Sequence, residues 1–364
     1  MTTAWRIARA ELTLLARSRL ALIGIVALLL LSIVAAVTSA AQMQTERLQR
    51  ETLQGQTDAL FEAQPDRHPH RMVHYGTYAY RPISPLAAFD PGVDPFTGTT
   101  IYLEGHRQNS ATFGAVRENS SLMRFGQLTP AFVLQTLVPL LLVFLGFSLL
   151  TRERESGTLR QLRLHGAAGG NLLLGKGLAL ALVALIALAP AALALVWIGS
   201  AFPAEAPAAA LLGAGYALYL LIWVALIVAL SALVKSSATS LVLLVAVWTL
   251  VAVIAPRGAA ELAARMEPLP SRAETDLQLA AELRTLGDSH NADDPFFAAF
   301  RARVLAQHGV TRIEDLPFNY RGALSAEGDA LTSRLFYESF ARTAAIKRRQ
   351  SETVAAISLL SPDI

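Results

Sequence analysis

The segment Gly170–Gly177 has glycine and lysine at the spacing of a phosphate-binding loop. Its sequence, G-N-L-L-L-G-K-G, matches G-x-x-x-x-G-K. Such a loop also needs a preceding strand, and a Ser or Thr after the lysine to hold magnesium. Here Gly177 follows Lys176, and the segment leads into an apolar helix. We therefore predict no nucleotide site, and interpret Lys176 as a lysine at the membrane interface. Any energy source would then belong to a partner.

A group of histidines is the second candidate for chemistry. His68, His70 and His74 follow the pattern H-x-H-x-x-x-H. Neutral imidazoles at this spacing could ligate zinc or copper, as in a membrane-bound metalloenzyme. Pro69 and the neighbouring arginines suit a solvated loop instead. We favour the solvated loop and predict no metal, with the three histidines kept as the candidate ligands.

The third candidate is a compact charged stretch, Thr151–Arg160, with the sequence T-R-E-R-E-S-G-T-L-R. After the alternating charges, Gly157 is predicted to end the preceding helix. A short helix follows, with Thr158 as its candidate N-cap. A short helix on the tip of a hairpin can dock into a groove of another protein. The alternative is a charged loop that only flanks the membrane. The candidate docking residues are Arg152, Glu153, Arg154, Glu155, Gly157, Thr158, Leu159 and Leu162.

The composition indicates that these residues belong to a membrane protein. Only 16% of the 364 residues are charged, whereas soluble domains carry roughly 25%. The chain has no cysteine, which excludes disulfides, iron–sulfur clusters and a thiol nucleophile. Basic residues do not alternate with aromatics on any predicted face, so nucleic acid is not an expected partner.

Five apolar segments are each long enough to cross a bilayer, which takes about 20 helical residues. None has a charge deep inside it, which argues against an ion-coupled transporter. We therefore predict an all-α polytopic membrane protein in contact with the lipid bilayer. The predicted spans are 20–41, 129–150, 172–202, 208–234 and 237–256.

Residues 1–19 form a predicted amphipathic helix in the membrane interface. The apolar side chains fall on one face at helical spacing, while the charged side chains, including Glu11, fall elsewhere. The predicted apolar face consists of Trp5, Ala8, Leu12 and Leu15.

The chain has two large polar segments. Residues 42–128 lie between the first and second spans, and residues 257–364 follow the fifth span. The first is rich in turns and aromatics, which favours a small α+β unit; the second has amphipathic helical patterns. Arginines and lysines concentrate at the N-terminus and in the loop 151–171, and the turn between the fourth and fifth spans carries Lys235. By the positive-inside rule, these loops and the N-terminus are cytoplasmic and both polar segments are extracytoplasmic.

The sequence resembles a known family at this point. Glu153–Arg160, followed by Gly175-Lys176, resembles the first cytoplasmic loop of ABC-2 type permeases. The segment His74–Asn109, with Arg81-Pro82, Leu86–Gly92 and Leu103–Asn109, is similar to the bacterial branch known as DUF3526.

The resemblance implies a permease bundle like that of type V exporters, in the bacterial inner membrane. It implies a homo- or heterodimer of permease subunits, driven by a separate ATP-binding subunit that holds ATP and magnesium. The loop 151–171 would be the coupling loop, and this chain would hold no cofactor. The family pattern has six spans, whereas only five are readable here, so the sixth is expected to be absent.

Three functions are compatible with these patterns. The leading one is a transport permease, not itself an enzyme, that moves an unidentified substrate, with export favoured. The second is a non-transporting scaffold or sensor whose outer segments bind a ligand or partner. The third is a metalloenzyme that uses the histidine group.

Overall fold

The structure is a computed structural model that describes residues 2–67, 71–72, 74–92, 94, 98–105, 128–165, 167–287, 291 and 294–358. Within these residues the fold is a bundle of long helices with one two-stranded sheet. Five of the described helices are long and apolar enough to cross a membrane. The predicted all-α polytopic fold is thereby confirmed.

The chain begins with two helices that meet at Ser18. Helix α1 spans Thr3–Arg17 and α2 spans Arg19–Glu62. Ser18 has an extended backbone and caps α2, since its hydroxyl accepts a hydrogen bond from the Ala21 amide at 3.4 Å. With 44 residues, α2 is about 66 Å long. It therefore crosses the membrane and continues beyond it as a stalk.

The packed side of α1 includes Ala8, Leu12 and Leu15 of the predicted face, but it is wider than predicted. Ala4, Ala8 and Glu11 are buried, at the i, i+4, i+7 spacing of one helix face. Trp5 is 42% exposed. The prediction that Glu11 lies away from the packed face is wrong. A sequence pattern of apolar residues could not show this, because the buried carboxylate is neutralised by residues far along the chain.

The small sheet is attached to the stalk. Strands β1 (Thr77–Tyr80) and β2 (Thr100–Leu103) pair antiparallel. The Gln54 side chain accepts a hydrogen bond from the Tyr80 amide at 2.8 Å, and Arg50 binds Asp94 at 2.9 Å. Since Gln54 and Arg50 lie on α2, the stalk holds the strands in place.

The second span changes helix type along its length. It has one α-turn at Pro130–Phe132, a π-helix at Val133–Leu137, and α3 at Val138–Gly146. Thr129 caps it by accepting a hydrogen bond from the Phe132 amide at 3.1 Å. A π-turn leaves backbone carbonyls without the usual helical geometry and often marks a functional position.

The remaining helices of the bundle follow in quick succession. Two short helices form the charged turn, which we name the tip (151–165). A long central helix (α6, Gly169–Ala201) packs against α1, α2 and the helix that follows it (α7, Ala206–Leu233). Its small buried residues, such as Ala184 and Ala187, let the helices approach closely. The elements are α4 (Thr151–Glu155), α5 (Thr158–Leu164), α6 (Gly169–Ala201), α7 (Ala206–Leu233), α8 (Ser237–Thr249), a π-helix (Leu250–Ile254) and α9 (Ala255–Met266).

A helical domain follows α9. It consists of α10 (Arg272–Thr285), α11 (Pro295–His308) and α12 (Tyr320–Ser358). Arg342 on α12 binds Glu282 at 3.0 Å, and Arg349 binds Glu267 at 2.8 Å. From residue 342 to residue 349 of α12, the acidic partner moves back along the chain from residue 282 to residue 267, so α12 runs antiparallel to α10. Helix α12 also packs against α9.

Candidate functional site

A buried lysine lies between two carboxylates at the tip end of the bundle. Lys176, on α6, is 1% exposed. Its ammonium group donates hydrogen bonds to Glu11 of α1 and, at 3.1 Å, to Glu153 of α4. Arg152 approaches the other oxygen of Glu11 at 3.6 Å. Two positive and two negative charges therefore neutralise each other, which buried ions require. We name these four residues the charge cluster.

A glycine next to the cluster lets α1 lie directly on α6. A Cβ on Gly175 would come within 2.6 Å of both the Ala4 carbonyl oxygen and Ile7 Cβ. Only a residue without a side chain fits at this crossing. Gly175 and Lys176, which mimic part of a phosphate-binding motif, therefore have structural roles: one permits close packing and the other supplies the buried charge.

The other two charged residues of α4 contact the ends of the next spans. The Arg154 guanidinium donates to the carbonyl oxygens of Val234 and, at 2.8 Å, of Ala232. These carbonyls lie at the end of α7, where helical partners are missing. Glu155 accepts hydrogen bonds from the amide and hydroxyl groups of Ser237, both at 2.7 Å. Ser237 is the first residue of α8.

The turn into α5 depends on Gly157, whose φ is 77°. This left-handed conformation is one that residues with a Cβ rarely adopt. Gly157, and not Thr158, occupies the N-cap position of α5, so the predicted cap is wrong. The Thr158 hydroxyl instead hydrogen-bonds to the Glu153 carboxylate. Glu153 thus joins α5 to the charge cluster.

Helix α5 projects from the bundle, and none of its residues is buried. Leu159 and Leu162 are half-buried, whereas Leu164 is 78% exposed. The most accessible apolar side chain of the tip is therefore one that the sequence interpretation did not select. A short helix with an exposed leucine suits contact with a second protein.

The two other sequence candidates have different outcomes. Gly170–Gly177 lies within α6, so it is a helix and not a phosphate-binding loop. His68 and His70 lie outside the described residues. His74 is described, and the described part of the chain contains no group of three side chains able to hold a metal ion.

A second polar group, at the opposite end of the bundle from the tip, was missed by sequence reasoning. The carbonyl oxygen of Gln135 accepts a hydrogen bond from the Tyr219 hydroxyl at 2.8 Å, and that of Thr136 accepts one from the Trp248 indole at 3.0 Å. The Gln135 side chain donates to the Tyr216 hydroxyl at 2.8 Å. Side chains of α7 and α8 thus satisfy carbonyls of the π-helix. The sequence signal that could have indicated this group is the presence of single polar residues within otherwise apolar segments.

Comparison with known families places this geometry in context. The family model described as ABC-2 family transporter protein matches residues 5–292, which include the charge cluster and the whole tip. The chain belongs to the ABC-2 transporter family. A second family model, the domain of unknown function DUF3526, matches residues 272–364. No curated protein sequence matches the chain.

The resemblance stated from the sequence is confirmed for both families. The DUF3526 match of this ABC-2 protein covers the helical domain after the fifth span, whereas the motifs that suggested that branch lie at His74–Asn109. Residues 106–109 of that segment are outside the described residues. The ABC-2 match, by contrast, includes every tip residue on which the resemblance was based.

Proposed function

We propose that this ABC-2 protein is the permease subunit of an ATP-binding cassette transporter. A separate subunit would bind and hydrolyse ATP with magnesium, and the tip would receive its motion. Basic residues at α1, the tip and Lys235 support a cytoplasmic location for this end of the bundle in a bacterial inner membrane. The sheet and the helical domain would then be extracytoplasmic.

One observation carries the proposal: the four consecutive charged residues of α4 contact four different helices. Arg152 binds α1, Glu153 binds α6, Arg154 binds the end of α7, and Glu155 binds the start of α8. A displacement of the tip would therefore act on these helices together. A loop that only flanks the membrane would not need such connections.

The buried ion pairs support the proposal that a movement of the tip is passed on to the helices that it contacts. Separating Lys176 from its carboxylates would leave uncompensated charge in a site of low polarity, which typically costs about 3–5 kcal/mol. Exposed pairs, by contrast, contribute about 0–1 kcal/mol. The charge cluster is thus expected to move as one unit when α5 is pushed, so that α1 and α6 follow α4.

Two permease subunits, identical or different, would enclose the substrate path between them. The described spans present apolar surfaces, including Leu193 at 70% and Val242 at 68% exposure, which suit lipid or a second subunit. Export is the favoured direction because the family resemblance favours it.

Purification of the complex from native membranes tests the proposal. We expect a mild-detergent extract of the tagged chain to retain an ATP-binding subunit with a Walker A motif and to hydrolyse ATP. Gly157→Ala should lower that hydrolysis, because the substitution strains the turn into α5. Gly170→Ala is the matched control, since a Cβ there would meet no atom within 4 Å.

Two results would contradict the permease assignment. One is a purified complex without any ATP-binding subunit, which would favour the scaffold or sensor. The other is equal ATP hydrolysis by the Gly157→Ala and Gly170→Ala complexes. That result would mean that the tip does not affect ATP hydrolysis by the partner subunit.

A further inference from the structure

The helical domain contains a cavity between α11, the turn at Ile313–Asp315 and the first turn of α12. Its volume is about 490 Å³. Small-molecule sites usually have volumes of roughly 300–1,000 Å³. The cavity is therefore large enough for a ligand of one or two rings, and it lies far along the chain from the tip.

Apolar side chains form one part of the cavity wall. Phe297 and Leu316 are buried, and Phe318 and Leu324 extend the same lining. Leu316 also belongs to a small core with Phe300 and Val304. Because Leu316 belongs both to this core and to the cavity wall, the apolar surface is part of the folded domain. It offers a flat or branched apolar group a place away from water.

Two arginines line the same cavity. Arg301 comes from α11 and Arg321 from α12, and neither forms an ion pair with any residue in the described part of the chain. Glu314 also lines the cavity, but its carboxylate is paired with Arg312 at 3.4 Å. Among the described residues that line the cavity, these two guanidinium groups and the paired Glu314 thus leave a local excess of positive charge.

Tyr320 also lines the cavity, and its ring packs against Phe300 of the small core. Partial burial raises the pKa of its hydroxyl, and the positive charge of Arg301 opposes that rise. Arg301 is therefore close enough to this hydroxyl to influence it. The uncharged phenol supplies a hydrogen-bond donor near the Arg301 guanidinium.

We propose that this cavity binds a small organic anion, with its oxyanion on Arg301 and Arg321 and its apolar body on Phe297, Leu316 and Phe318. Guanidinium groups bind planar oxyanions through two parallel hydrogen bonds, and the apolar wall selects for a ligand with a hydrophobic body. Inorganic anions lack such a body. This inference does not depend on the proposed transport function.

Fluorine NMR with the full chain in lipid nanodiscs tests the proposal. The probe is 4-(trifluoromethyl)benzoate, and 4-(trifluoromethyl)benzamide is the uncharged analogue of the same shape. Empty nanodiscs correct for partition into lipid. We expect saturable broadening of the benzoate signal by the protein, and at least tenfold weaker binding of the benzamide.

Two exposed arginine substitutions and one matched control locate the binding. Arg301→Gln and Arg321→Gln should each weaken benzoate binding about tenfold, a change of about 1.4 kcal/mol. Arg334→Gln, an exposed position on α12 outside the cavity, should leave binding unchanged. Because all three positions are exposed, none should impair folding.

The proposal is overturned by any of three outcomes. These are no saturable broadening by the wild-type protein, equal binding of benzoate and benzamide, or binding that neither cavity substitution weakens. The transport proposal would survive all three, since the tip and the charge cluster are not involved.

Discussion

Lys176 and Glu11 form a buried ion pair although 165 residues separate them in the chain. The pair fixes the N-terminal helix to the central span at the place where the tip joins the bundle. Glu153, on the tip, shares the same ammonium group. The connection between the tip and the body of the protein is therefore electrostatic as well as covalent.

The charge cluster should dominate the stability of this end of the bundle. Lys176→Gln leaves the buried Glu11 carboxylate and the half-buried Glu153 carboxylate without their shared ammonium partner, so we expect the free energy of unfolding to fall by about 3 kcal/mol. The double substitution Glu11→Gln with Lys176→Gln should restore part of the loss, because one carboxylate is removed as well. Thermal unfolding in detergent measures both effects.

Arg265→Gln is the matched control for that series. Arg265 pairs with Glu261 at 2.8 Å, but the two side chains are 76% and 63% exposed, so we expect a loss below about 1 kcal/mol. If Lys176→Gln destabilises the protein no more than Arg265→Gln does, the charge cluster does not hold the tip to α1 and α6.

The crossing of α1 over α6 should be sensitive to a single methyl group. In Gly175→Ala, the new Cβ would overlap the Ala4 carbonyl and Ile7, so α1 must move away at a cost of about 1–3 kcal/mol. Trypsin should then cleave α1 after Arg9 or Arg17 faster than in the wild-type protein. Gly170→Ala, at an open position of the same helix, should show wild-type cleavage. Equal cleavage of both variants would argue against the tight crossing.

The π-helix of the second span should depend on hydrogen bonds from neighbouring spans. Tyr219→Phe removes the donor to the Gln135 carbonyl, which should cost about 0.6–1.7 kcal/mol in a membrane bundle. We expect faster amide hydrogen exchange in a peptide covering 133–141. Tyr337→Phe, at a 71% exposed position, serves as the control. Unchanged exchange in the Tyr219 variant would mean that the π-helix is stable without this contact.

The bilayer-spanning helices could be predicted from the sequence because long apolar segments have one main structural solution in a membrane. The tip could be located for a similar reason, since alternating charges and Gly157 interrupt the apolar pattern. The partners of those charges could not be predicted. Glu11, Lys176 and Ser237 reach the tip only through tertiary packing, and helical periodicity carries no information about which helices become neighbours.

The cavity in the helical domain was equally unpredictable. Arg301 and Arg321 lie on two helices that the turn at Ile313–Asp315 brings together, and the sequence shows each only as one of many exposed arginines. The helix pattern of 257–364 was readable, but the inward faces of those helices required the three-dimensional arrangement. The ABC-2 family resemblance did not indicate the cavity, because that resemblance was based on the tip.

Site-specific photo-crosslinking in living cells tests the central claim most directly. A benzoylphenylalanine in place of Leu164, which is 78% exposed at the tip, is compared with one in place of Leu277, which is 72% exposed in the helical domain. We predict that Leu164 crosslinks to an ATP-binding subunit, identified by mass spectrometry, and that Leu277 does not. A crosslink to that subunit from Leu277, or none from Leu164, would contradict the claim that the tip receives the motion of the ATPase.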